Sequence, residues 1–465
     1  MSEQTGAPVV VIGAGPVGLA AAAHLAERGV DFAVLESGPS VAAAIEEWRH
    51  VKLFSPWRYD IDSAARRLLE RSGWLEPDLA TLPTGGDLID AYLAPLTKTP
   101  ELNDRIRYNT QVTAVTRVGF DRIRTTGREA APFLIRLADG SELLASAVID
   151  AAGTWRKPNV LGGSGIPARG ETEAVEGIAH ALPDVLGVDR DRFAGRRTAV
   201  VGAGHSAATT LLDLGQLADE VPGTDVVWVV RGTDQARTYG GGDADELPAR
   251  GALGSRLKKL VQSGRVELVS SFRIESISRA DGKVRLTSGE REVVADTVVN
   301  STGFRPDHDM VSELRLDLDP IMGSTRALAP LIDPNKHSCG TVPPHGVDEL
   351  THPEPGYYAV GAKSYGRAPT FLLATGYEQA RSVVAALAGD WEAARDVQLD
   401  LPETGVCSSN LAYGGTADEA GGCCGPAPQA VELSAPTSRG LATGITGGLL
   451  TVIENDTPKS SGCCG

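Results

Sequence analysis

The stretch Val9-Val10-Val11-Ile12-Gly13-Ala14-Gly15-Pro16-Val17-Gly18 decides the fold. Four apolar β-formers run into a glycine turn, and an alanine-rich helix follows from Leu19. Gly13 permits the sharp turn, Gly15 lets backbone approach a pyrophosphate, and Gly18 lets the helix lie close on the strand. The next strand, Phe32-Ala33-Val34-Leu35, ends in Glu36, at the spacing from the turn expected of an acid that accepts from ribose hydroxyls. A fingerprint of this kind ending in an acid holds the adenosine half of FAD or NAD.

A second stretch of the same design follows. Thr198-Ala199-Val200-Val201 leads into Gly202-Ala203-Gly204-His205-Ser206-Ala207. The strand after it, Val226 to Val230, ends in Arg231 where the first unit has an acid. An arginine there suits a 2′-phosphate through paired charge-assisted hydrogen bonds. The expected cofactors are therefore FAD at the first turn and NADPH at the second, with Arg231 as discriminator. Two such turns imply electrons passing between two nucleotides.

The 465 residues carry a net charge of −16, which argues against nucleic acid or an anionic membrane as the main partner. No apolar run has the length of a membrane span. The first strand begins almost at once, leaving no room for a signal peptide, so a cytoplasmic location and mostly reduced cysteines are expected.

The expected fold class is α/β with two Rossmann-like dinucleotide-binding domains and a flexible tail. Residues 8–160 read as the first part of an FAD domain, 165–295 as an inserted NAD(P)H domain, 296–390 as the second part of the FAD domain, and 391–465 as the tail. Phe133 to Leu137 and Leu143 to Ile149 read as a hairpin, the second strand ending at Asp150 to Gly153. Strands are expected near 266–269, 272–277 and 284–287. Val293 to Val299 reads as one more, leading to Asn300-Ser301-Thr302-Gly303. The echo between Gly153 and Gly303 points to two crossings between domains. Gly356 to Ala362 reads as a strand that ends in a glycine, Gly361, and Phe371 to Leu387 as a helix whose first turn, with Thr375, is placed to face the flavin.

The order GAGPVG, GAGHSA, TGFRPD resembles the class B flavin-containing monooxygenases and related two-dinucleotide flavoproteins, over roughly residues 8–388. The resemblance implies FAD held by Gly13, Gly15, Gly18 and Glu36, and Pro16, Gly153, Gly303, Gly361 and Thr375 are further cofactor-binding candidates. It implies NADPH at Gly202, Gly204, His205, Ser206 and Arg231. In that family NADPH reduces FAD, dioxygen reacts with the reduced flavin, and a soft nucleophile or a ketone is oxygenated. Flavin-side candidates are Trp57, Arg58, Cys339, Lys363 and Tyr365. Two departures stand out. The family signature FxGxxxHxxxW/D is reduced to His180-x-x-x-Asp184, with the phenylalanine missing and Gly177 one residue too close. The redox cysteine pairs of thioredoxin and disulfide reductases are absent.

The six cysteines are Cys339, Cys407, the pair Cys423-Cys424 and the pair Cys463-Cys464. Paired thiolates on a flexible strand hook soft ions such as arsenic(III), mercury(II), copper(I) or zinc. The tail resembles the C-terminal pair of mercuric reductases. Three readings follow. One is a monooxygenase acting on a small molecule or a thiophilic metalloid such as a trivalent arsenical, as in arsenic resistance. The second is a reductase passing electrons to tail cysteines or a bound metal ion. The third is a non-catalytic redox or metal-sequestering flavoprotein. Nothing in the sequence fixes the oligomeric state.

Overall fold

The computed structural model describes residues 6–240, 248–334, 342–369 and 371–399, all within the compact unit Met1–Tyr413. The chain opens with β1 (Val9–Ile12), α1 (Pro16–Glu27), β2 (Phe32–Leu35) and α2 (Ser63–Arg71). A π-helix over Leu88–Leu93 precedes β3 (Ile106–Arg107), β4 (Val112–Arg117), β5 (Phe133–Leu137), β6 (Glu142–Ala145) and β7 (Ala147–Asp150). The middle of the chain supplies β8 (Ile178–Ala179), β9 (Arg197–Val201), α3 (His205–Glu220), β10 (Asp225–Val229) and β11 (Glu267–Val269). It continues through β12 (Ser276–Ala280), β13 (Lys283–Ser288), β14 (Arg291–Ala295) and β15 (Thr297–Asn300). The chain then adds β16 (Tyr357–Ala359) and α4 (Leu373–Leu387).

Two five-stranded sheets result, ordered β16-β7-β1-β2-β3 and β11-β10-β9-β15-β8, with every pairing in them parallel. In each, the strand before the glycine turn is central. The chain leaves it through a helix to one side, and a later strand returns on the other. The strand ends there form the crevice where open parallel sheets bind nucleotides.

The strands of these sheets are continuous apolar runs because both faces are covered. In the first sheet, Val9, Val11, Phe32, Val34 and Ile149 face one core with α1 and α4, whereas Val10, Ile12, Leu35 and Val148 face another with β5. Helix α1 is buried on nearly all sides, and Ala20 to Ala23 have no exposure. Small side chains there let a helix lie between sheet and α4. Among the described residues, no helix is long and apolar enough to cross a membrane.

Two expected strands divide. Leu143 to Ile149 breaks at Ser146, and Val293 to Val299 breaks at Asp296. In both, the first piece closes a three-stranded antiparallel sheet and the second enters the parallel sheet. The amides at the breaks turn to new partners: Ser146 N–H donates to Pro8 O, and Asp296 N–H to Arg197 O. The expected strand over 272–277 begins instead at Ser276.

Candidate functional site between the glycine turns

The first turn is fixed by contact with the returning strand. Gly13 has φ +99°, and an added β-carbon would lie 2.8 Å from Ala151 O. Its counterpart Gly202 has φ +140°, where a β-carbon would lie 2.0 Å from Ser301 O. Trp228, with no exposure, clamps this second turn from beneath, its indole N–H donating to Gly202 O at 2.7 Å.

Gly15 and Gly204 behave differently. Each is the N-cap of the following helix, without a side-chain cap, and a β-carbon on either would point into open space. Helix-first-turn amides beside an open cradle are what a pyrophosphate needs. Glu36 is buried over the first turn. Its Oε2 accepts from Ala14 N–H at 2.8 Å, and its Oε1 from Gly38 N–H at 2.7 Å and Ser37 Oγ–H at 3.3 Å, with a lone pair left on Oε2. The residues present therefore fit FAD at the first turn.

At the second turn, His205 is exposed and Ser206 half-buried, both in the first turn of α3. Arg231 follows β10, is exposed, and makes no ion pair among the described residues. An open guanidinium beside a phosphate cradle fits a nicotinamide dinucleotide carrying a 2′-phosphate.

Two crossing segments join the halves and pair with each other. Asn159 N–H donates to Gly303 O at 2.8 Å, and Arg305 N–H to Lys157 O at 3.0 Å. Each segment places an aromatic ring soon after its glycine. Trp155 and Phe304 lie 4.9 Å apart by ring centroid, with His180 4.3 Å from Trp155. Glu47 accepts the Trp155 indole N–H at 2.8 Å. A further link comes from the 48–60 stretch, where the Phe54 ring lies 5.2 Å from that of His205. The sequence reading missed Trp155 and Phe304, although an aromatic placed just after each glycine was the available signal.

The remaining candidates fall in varied surroundings. Trp57 is buried in the core, and Arg58 is exposed over the Tyr59 ring. Lys363 is fully buried, with Nζ 2.5 Å from Asp150 Oδ2, which also accepts from Tyr357 OH at 2.9 Å. In place of an open cation beside flavin or substrate, Lys363 forms an internal ion pair under the end of β7. Tyr365 is also buried, its ring 5.5 Å from His345 and 5.4 Å from Phe371. Gly153 and Gly303 adopt positive φ at the two crossings. Gly361 N–H donates to Gln379 Oε1 at 2.8 Å, and Thr375 is buried in the first turn of α4. Cys339 and the five later cysteines lie outside the described residues. Among the described residues, no group of three or more metal-binding side chains comes together.

Residues 10–339 match the family described as pyridine nucleotide-disulphide oxidoreductase. The chain belongs to that family. It is a flavoprotein oxidoreductase whose cofactors are FAD and NAD(P)H. Indole-3-pyruvate monooxygenase YUCCA1 of Oryza sativa subsp. japonica is 31% identical over 211 residues. That match covers 44% of this chain and 44% of the rice protein, so the chain spans less than half the length of this relative. Bacillithiol disulfide reductase Bdr from Bacillus cereus has a similar fold, with TM-score 0.61 and 18% identity over 82% of this chain and 99% of that one. The flavin-containing monooxygenase from Stenotrophomonas maltophilia is also similar, with TM-score 0.53 and 22% identity over 82% and 99% of the two chains.

Proposed function

We propose that this protein is an NADPH-dependent flavin monooxygenase acting on a small molecule. The observation that carries the reading is the pair of matched cradles, one closed by Glu36 and the other flanked by the open Arg231. Bound FAD would supply two-electron transfer from the nicotinamide and reaction of the reduced ring with dioxygen. The residues of the chain do the rest. Gly15 and the amides of α1 hold the first pyrophosphate, and Glu36 orients the ribose. Gly204, Ser206 and Arg231 hold the second dinucleotide. The paired crossings and the Phe54–His205 contact keep the two halves in register.

The sequence also supports dioxygen as acceptor, because no cysteine precedes residue 339. A redox disulfide beside the flavin, which a disulfide reductase needs, has no candidate pair in the first part of the chain.

The substrate class is part of the proposal. A soft, thiophilic substrate such as a trivalent arsenical fits the chemistry of the two pairs of neighbouring cysteines, Cys423-Cys424 and Cys463-Cys464. The same cysteines favour the reductase as a second reading. Measuring NADPH oxidation and oxygen uptake together, with and without arsenite, separates them. Matched, stimulated rates support the oxygenase. Turnover that continues without oxygen supports the reductase.

A further inference from the structure

The segment that carries Phe54 to the second turn also holds an acid with no part in the account so far. Asp60 has no solvent exposure. Its Oδ1 accepts from Ser55 Oγ at 2.8 Å, while its enclosed Oδ2 has no hydrogen-bond partner among the described residues. The backbone is pinned on both sides, since Asp60 N–H donates to Trp57 O and Tyr377 OH donates to Asp60 O at 2.8 Å. An ionised carboxylate would leave one oxygen buried without a donor, a costly arrangement. Protonation removes that buried charge.

The surrounding groups do not supply a counter-charge to Asp60. On α2, Asp62 is engaged by His24 of α1 at 3.1 Å and by Ala65 N–H, and Arg66 pairs with Glu76 at 2.7 Å. Tyr92, from the π-helix, accepts from Asp62 N–H at 3.1 Å. Burial raises Tyr92 and Tyr377 far above the ordinary phenol range, so both stay protonated. Burial likewise pushes Asp60 up to about 7, against the lowering effect of the Ser55 hydrogen bond. Ser55 itself is only half-buried, and it follows Phe54, whose ring meets His205 at the second turn.

We propose that Asp60 is the proton store of the reaction cleft and delivers its proton through the Ser55 hydroxyl. The proposal rests on the monooxygenase reading. In that reaction NADPH, one proton, dioxygen and substrate give NADP⁺, oxygenated substrate and water. With the acid protonated on Oδ1 the Ser55 hydrogen bond reverses, so that Asp60 donates, and the Asp60 O–H breaks as its proton passes to Ser55 Oγ. The Ser55 proton passes to the oxygen atom that leaves as water. The carboxylate then regains a proton from solvent, one per turnover. Asp60 acts through Ser55 and is a positioning and storage group.

The test is infrared spectroscopy of the FAD-loaded protein across a pH series, paired with steady-state oxygen uptake. Wild type should show a protonated-carboxyl band that disappears with a midpoint near 7 and is missing in Asp60→Asn. That variant should lose on the order of 10²-fold in kcat, together with the alkaline limb of the pH profile. Ser55→Ala, a milder change, should keep the band and show a comparable loss. A wild type without the band at any pH, or an Asp60→Asn protein with the wild-type kcat and pH profile, would overturn the proposal. A wild type that keeps the band but takes up no oxygen with NADPH would instead contradict the functional reading, and the delivery step with it.

Discussion

Lys363 Nζ lies 2.5 Å from Asp150 Oδ2, and neither side chain reaches solvent. The pair sits under the carboxyl end of β7, beside the strand that opens into the first glycine turn. Removing one partner leaves the other charge buried alone, which costs about 3–5 kcal/mol. Asp150→Ala should therefore lower the unfolding midpoint sharply, whereas the double change Asp150→Leu with Lys363→Met should recover most of the loss. Urea unfolding of the three proteins checks this.

The two kinds of glycine should fail differently. Gly202→Ala forces a β-carbon against Ser301 O and an unfavourable φ, so it should cost at least about 2 kcal/mol before any ligand is added. Gly15→Ala meets nothing in the protein and should fold normally, yet purify with little FAD. Thermal unfolding and the flavin absorbance of each variant separate the two effects.

In the proposed function Arg231 chooses between the nicotinamide cofactors. Arg231→Ala should raise the KM for NADPH on the order of tenfold or more, and leave that for NADH nearly unchanged. Equal effects on both would remove the 2′-phosphate from its role.

His352 gives the fold a pH dependence. Burial, with help from the charge of His308, pushes it down to about 4, and its Nδ1 accepts from Asp317 N–H at 3.2 Å. The unfolded chain, with an ordinary imidazole near 6.5, binds more protons between those values. This contribution to stability is present above about pH 6.5 and is lost as pH falls toward 4. His352→Gln should flatten the acid side of the stability curve, as read from urea midpoints over that range.

The glycine spacing and the apolar runs around it made both nucleotide folds legible, because a turn over a returning strand admits few other residues. The breaks at Ser146 and Asp296 were not legible. A strand that leaves one sheet for another keeps its apolar pattern and changes only its hydrogen-bond partners. Lys363 stood among the flavin-side candidates because sequence shows a charge but not its counter-ion, and Asp150 lies 213 residues away. The burial of Asp60 was hidden for a similar reason, since Tyr377 of α4, which donates to its carbonyl, lies 317 residues away.

The central claim is that the two cradles hold FAD and NADPH so that one reduces the other. Anaerobic mixing of the purified yellow protein with one equivalent of NADPH tests it most directly. The account predicts stoichiometric bleaching of the flavin band, followed by its return and matched oxygen consumption when air is admitted. A protein that carries no FAD, or a flavin that NADPH leaves oxidised, would contradict it.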